Sequence, residues 1–423
     1  MIAPRLVLAT VLIYLYFPTI PSKGQEWSRF RGENGSGLGK AKGLPAKVTI
    51  ADYQWIVELQ GAGHSSPVLW GNDLFLTMTD GKDKQKRHLV CFDAERGQVK
   101  WKWSAPFESH QQHRFNDFSS STPVVDGERV HLFWGSGDQT LAVAVDHSGK
   151  KIWQVEFPAF TSDHGTATSP ILVEGKLIVQ TGHKEEGRSA IVALDPASGK
   201  EVWRFDRKNK EGEEEKSAYS TSVVYRGKDG KNQVLAVNST YGFISLDAQT
   251  GELLWQYNPG FKERSVGSIA ISGDVVLATL GSGVAGKECV ALQPGVGGGE
   301  VKKLYKLESK GLPYVPTPLG YGGKFFLWGD GGILTCVKAA TGEILNQERG
   351  AAGGTFFSSP IVADGKIFCG SRDGKMVVVA ASETLEHLGT SELGSGIHAT
   401  PAIANGRMYI RTDSHLICVG GKK

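Results

Sequence analysis

Two histidines, His64 and His398, hold the same place in a recurring pattern, each two residues ahead of a small hydroxyl residue that opens an apolar strand. Paired imidazoles can bind a metal or pass a proton, because a neutral ring carries one lone pair and one N–H. The pattern supplies no carboxylate certain to complete such a pair, so no metal is expected, and the plainer role is two rings bonded to loop carbonyls. His164, in the run SDHGTATSP, is a third imidazole in a loop of the same kind. Arg372 and Arg411 are the candidates for gripping an anionic ligand or a partner's carboxylate, since a guanidinium meets a carboxylate through paired hydrogen bonds. Solvated surface arginine is the alternative. Tyr219, Trp134, Asn238, Trp328 and Asp413 stand in loops of the same class and complete a candidate ligand- or partner-binding set. No catalytic residue is assigned: the chain has no G-x-S-x-G elbow, no HExxH and no phosphate-cradling P-loop.

The elements that must position these side chains are read from a repeated phrase. It runs CFDAERGQVKW from Cys91, AVDHSGKKIW from Ala144, ALDPASGKEVW from Ala193 and SLDAQTGELLW from Ser245, with a weaker copy, CVKAATGEILN, from Cys336. Each phrase follows a small-residue step, a strand, a glycine turn and a second strand. Eight such steps recur at a period of roughly 48 residues, one supersecondary unit copied around a closed or stacked array. Alternating apolar and polar strands with glycine turns, and no helical period, predict an all-β fold. Four-stranded antiparallel blades repeated eight times close into a β-propeller. The eighth unit stops after its third strand. The stretch Tyr53–Leu59, ahead of the first unit, is expected to supply the missing outer strand and latch the ring.

Within that frame Asp93, Asp195 and Asp247 bond turn N–H groups, and Trp101, Trp153, Trp203 and Trp255 are struts between blades. The first strand of each blade lines the axis, so the residues just ahead of it ring one mouth of the channel. The hydroxyl series is Ser66, Thr122, Ser169, Thr221, Thr317, Ser359 and Thr400, with Gly267 in the fifth unit. The segment HQQHRFNDF, residues 110–118, is long and aromatic enough to fold over that mouth as a lid. Arg207 to Lys216 is a charged loop whose charges nearly cancel, and Gly295 to Gly299 is a degenerate turn.

The chain has 423 residues, 55 of them glycine, and a formal net charge of +3 that falls further when residues 1–25, with Arg5 and Lys23, are set aside. Such balance excludes a dedicated nucleic-acid binder, which needs a concentrated basic surface. Arg5, the apolar run Leu6 to Phe17 and the small-residue end Ser22-Lys23-Gly24 describe a secretory signal, with an uncleaved anchor as the alternative. The expected organisation is a signal peptide over 1–25, a leader over 26–52 and the propeller over 53–423. The mature chain would be a monomer without a membrane span, in the periplasm or outside the cell. Five cysteines lie on apolar strands without a CxxC pair and are expected to pack as small hydrophobes.

The spacing Ala-x-Asp-x-x-x-Gly-Lys-x-x-Trp, seen in ALDPASGKEVW, resembles the tryptophan-docking repeat of the pyrroloquinoline-quinone (PQQ) propellers over roughly residues 53–420. The leader WSRFRGENGSG is similar to that of exported PQQ-like repeat proteins. The resemblance implies either a non-enzymatic scaffold of the BamB type or a quinoprotein dehydrogenase. The dehydrogenases carry adjacent cysteines against the quinone, and this chain has no Cys-Cys and no CxxCH haem site. The leading expectation is therefore a binding or scaffold module for a protein or another envelope component, with no cofactor. A PQQ- and calcium-dependent oxidoreductase is the alternative.

Overall fold

The computed structural model describes residues 26–80, 86–110, 112–137, 139–158, 164–182, 189–207, 219–283, 285–295, 299–350 and 353–420. The expected signal segment, most of the charged loop and the centre of the Gly295–Gly299 turn lie outside them. Eight four-stranded antiparallel sheets follow one another in chain order. They span residues 68–106, 124–158, 171–206, 223–257, 270–306, 319–349, 361–392 and 402–420, the last completed from the N-terminus. The strand Tyr53–Glu58 pairs antiparallel with His415–Gly420, Ile56 opposite Ile417 and Val57 opposite Leu416, so the latch expected from the sequence is present.

Burial explains the composition of each blade. The second and third strands, such as Asp73–Thr79 and Lys86–Asp93, are covered on both faces by neighbouring blades and are almost continuously buried. The outer strand Val99–Pro106 alternates between exposed and half-buried residues because one side meets solvent.

The repeated phrase tightens the seams between blades. Asp93 accepts from the N–H groups of Glu95 and Arg96, and Asp195 and Asp247 do the same in their turns. Each turn then receives an aromatic ring from the preceding blade. Trp101 donates to the His147 carbonyl at 2.7 Å, Trp153 to Pro196 at 2.9 Å, Trp203 to Ala248 at 3.3 Å and Trp55 of the latch to Ala94 at 3.1 Å. The turn glycine underneath has no room for a side chain. At Gly97, with φ of 72°, a Cβ would lie 2.7 Å from the Trp55 ring. Tyr305 takes the part of the tryptophan in blade five, its hydroxyl reaching the Ala339 carbonyl at 2.9 Å. Trp255 departs from the expectation. Blade five lacks the Asp-turn-Gly phrase, and the Trp255 indole instead bonds Gln233 Oε1 of its own blade at 3.1 Å.

The leader runs through the channel. Trp27 pairs with Leu69 in the first strand of blade one, and the Ser28 carbonyl accepts from Val125 in blade two. Asn34 bonds Val224 of blade four, and Gly37 and Gly39 bond Val362 of blade seven. Arg29 donates to the Ser222 carbonyl at 2.7 Å, and Arg31 to those of Pro318 and Pro360 at 3.1 and 3.0 Å. Both guanidiniums are buried, which lowers each to about 9. The chain then crosses blade seven, where Val48 bonds Ser391, and enters the latch. All five cysteines are free and buried. No helix among the described residues is long and apolar enough to cross a membrane.

Candidate functional site

Where the eight first strands converge, their leading hydroxyls form a closed circuit. Ser66 N–H donates to Thr122, Thr122 to Ser169, Ser169 to Thr221 and Thr221 to Ser268. Ser268 donates to Thr317, Thr317 to Ser359, Ser359 to Thr400 and Thr400 back to Ser66. The member from blade five is Ser268, not Gly267. A glycine has no side-chain acceptor, and the loop is one residue longer than the repeat count implies. The corresponding upstream position is therefore Val266 rather than Ser265.

Above this circuit sits a cavity of about 300 Å³. Its wall holds the residue two positions ahead of every circuit hydroxyl: His64, Ser120, Ala167 and Tyr219, then Val266, Val315, Phe357 and His398. Phe30 of the leader, held between Arg29 and Arg31, lines its lower end. From above come His113, Phe115 and Asn116 of the aromatic insertion, which is the lid position expected of that segment.

Two clusters face each other across the cavity. In the first, the His64 and His398 rings stack at 4.2 Å and 18°. His398 Nδ1 meets Asp413 Oδ1 at 2.9 Å, and Arg372 Nε donates to His398 Nε2 at 3.2 Å. Arg372 also lies over Phe115 at 4.0 Å and Phe357 at 4.7 Å, cation–π contacts that hold the guanidinium beside the cavity. Burial, with His398 and Arg411 adding positive charge, pushes His64 down to about 3. Burial alone would raise the Asp413 carboxyl, but the His398 bond and the neighbouring positive groups leave it below its usual range. In the second cluster, His164 stacks on His113 at 4.9 Å and tilts against Tyr219 at 5.7 Å. Arg264 Nη1 reaches both His164 ring nitrogens at 3.1 and 3.0 Å, and Asn116 donates to the His164 carbonyl at 2.6 Å. Imidazoles and guanidiniums set into aromatic walls make a cavity suited to an anionic, partly apolar group.

The structure thus gathers His64, His164, Tyr219, Arg372, His398 and Asp413 of the sequence-derived set. The other four lie elsewhere. Trp134 is 3% exposed, stacked at 6.1 Å on Trp103 between blades one and two. Trp328 packs on Phe356 at 5.3 Å, and Asn238 accepts from the Tyr241 N–H at 2.8 Å. Arg411 is 2% exposed and bonds Ser65 Oγ at 2.8 Å and the Thr77 carbonyl at 2.9 Å, so it acts as an internal brace, not a surface grip. All four lie at or near the ends of second strands, which are packed on both faces, so their side chains turn into the seams and not the channel. Sequence reasoning passed over Arg264, Tyr314 and Phe30. Arg264 lies outside the repeat pattern, and Phe30 belongs to a leader whose path only the closed ring defines. Asp330 holds Tyr314 and Val315 in place by accepting their N–H groups at 2.6 and 3.1 Å; burial raises its carboxyl to about 6.

Comparison with known proteins agrees with this architecture. The quinohemoprotein alcohol dehydrogenase of Comamonas testosteroni superposes with a TM-score of 0.66 at 14% identity, over 94% of this chain and 81% of that one. BamB from Moraxella catarrhalis gives 0.58 at 15% identity, over 87% and 98%. A europium-containing methanol dehydrogenase gives 0.56 at 11%, over 94% and 98%. At these identities the likeness is one of fold. No curated protein sequence matches the chain. Residues 52–283 match the PQQ_2 family model, described as outer membrane protein assembly factor BamB, and with more than half its length so matched the chain belongs to that family of β-propellers.

Proposed function

We propose that the protein is a binding module of the cell envelope whose loop-face cavity takes an acidic, partly apolar group presented by a protein partner. The observation that carries this reading is the cavity itself: all eight variable positions converge on it, and two arginine–imidazole clusters, Arg264–His164 and Arg372–His398, flank aromatic walls. A partly buried guanidinium in an aromatic wall recognises a carboxylate through charge-assisted hydrogen bonds that water screens less than at an open surface. The family's description as an assembly factor and the secretory character of residues 1–25 support an envelope location and a protein partner. Site-specific photo-crosslinking from position 357, beside the cavity, tests it in intact cells. A discrete adduct is expected, abolished by combining Arg264→Glu with Arg372→Glu. An adduct indifferent to both charge reversals rejects the cavity as the binding site.

A quinone-dependent oxidoreductase is the alternative, drawn from the same fold. Calcium of the kind such a reading invokes takes about six to eight oxygen ligands. The described cavity wall offers imidazoles, guanidiniums and hydroxyls engaged in the circuit, and the rim carboxylate of Asp413 is bonded to His398. That donor set does not fit calcium. Reconstitution with PQQ and calcium is expected to give no dye-linked alcohol oxidation.

A further inference from the structure

Neither ring nitrogen of His64 has a hydrogen-bond partner among the described residues, although the ring is largely enclosed and stacked on a second imidazole. One of its two ring nitrogens lies near His398 and Asp413. One ligand atom from each of the three, two imidazole nitrogens and a carboxylate oxygen, lies within 4.8 Å of the others. A divalent ion bonded at about 2.0–2.2 Å to each would draw these atoms together by roughly an ångström, within reach of side-chain rotation. The backbone makes room for the carboxylate: a Cβ on Gly396 would lie 2.4 Å from Asp413 Oδ2. We propose that His64, His398 and Asp413 form a binding site for a first-row divalent transition metal, zinc foremost, with an exchangeable fourth position open to the cavity. Two neutral imidazoles with one carboxylate are borderline-to-hard donors that suit zinc and its neighbours and not magnesium or calcium.

The metal takes the lone pair of His398 Nδ1, and the proton that Nδ1 shares with Asp413 passes to Nε2. A protonated Nε2 cannot accept from Arg372, so that guanidinium leaves the ring and remains stacked on Phe115 and Phe357. Arg372 is thus a competitor of the metal, by its charge and by its bond to Nε2. The inference is independent of the partner reading, since metal binding needs no partner and crosslinking needs no added metal.

The test uses the purified chain stripped with EDTA, titrated with Co2+ by visible absorbance and with Zn2+ by calorimetry. One ion per chain is expected, with no uptake of Mg2+ or Ca2+. His64→Ala, His398→Ala and Asp413→Asn, each removing a ligand, should each weaken Zn2+ binding by more than the about 10- to 100-fold that losing an outer-shell partner costs. Arg372→Gln should tighten it, which a merely structural arginine would not do. Thermal melts in EDTA check that the variants fold; should His398→Ala fail, His64→Gln and Asp413→Asn carry the test, because the His64 ring makes no hydrogen bond among the described residues. Absence of Zn2+ binding, or binding unchanged by the His64 substitution, overturns the proposal.

Discussion

The N–H of Thr400 donates to Ser66 Oγ at 3.1 Å across 334 residues of sequence, and this bond joins the last blade to the first in the hydroxyl circuit. The circuit needs every member, because each hydroxyl satisfies a buried N–H of the preceding blade. Ser66→Ala leaves the Thr400 N–H buried without an acceptor and should cost ~1–3 kcal/mol. Urea unfolding of Ser66→Ala and Thr122→Val is expected to show similar losses; a negligible loss in both would mean that water replaces the hydroxyls.

The outer seam has its own dependence on one side chain. Trp55 bonds Ala94 and packs over Gly97, so Trp55→Ala should destabilise the whole ring, toward the lower end of the ~3–5 kcal/mol typical of buried tryptophan because the ring is partly exposed. Ile56→Ser, at a side chain 49% exposed on the same strand, should change stability by no more than about 0.5 kcal/mol. Equal effects from the two would show that strand pairing, and not the indole, closes the ring.

The leader should behave as part of the propeller. Arg31→Met keeps the bulk of the side chain but strands the Pro318 and Pro360 carbonyls. A loss of ~3 kcal/mol is expected, the scale of hydrogen bonds to a charged group. Limited proteolysis is a second readout: the wild-type chain should resist cleavage between residues 27 and 40, and the variant should be cut there.

Asp330 makes stability depend on pH. Its folded-state value of about 6 lies above the ordinary 3.8, so the folded protein holds this proton more tightly than the unfolded chain. The contribution to stability is therefore full below about pH 4 and is lost as pH rises to about 6, up to ~3 kcal/mol. Asp330→Asn should remove that slope. Unfolding of both proteins at pH 4.5, 5.5 and 7 reads the difference, and a pH-independent difference would contradict the assignment.

Much of this was written in the local chemistry of the repeats. The Asp-turn-Gly-Trp phrase specifies a turn, a glycine with positive φ and a ring to cover it, and one blade cannot bury that ring alone. Four copies and a weaker fifth, within a strand–turn–strand unit repeated eight times, therefore commit the chain to a closed propeller, and the unpaired Tyr53–Glu58 strand to the place of the missing edge. The neighbourhood of His64 and His398 follows from counting. Side-chain direction at strand ends does not, which is why Trp134, Trp328, Asn238 and Arg411 turned into the seams while Arg264 reached the cavity. The approach of Asp413 to His398, 15 residues apart, is decided by how blade eight folds back on itself. The path of Phe30 through the channel arises only once the ring closes, because contacts between segments hundreds of residues apart depend on the twist and packing of every blade between them.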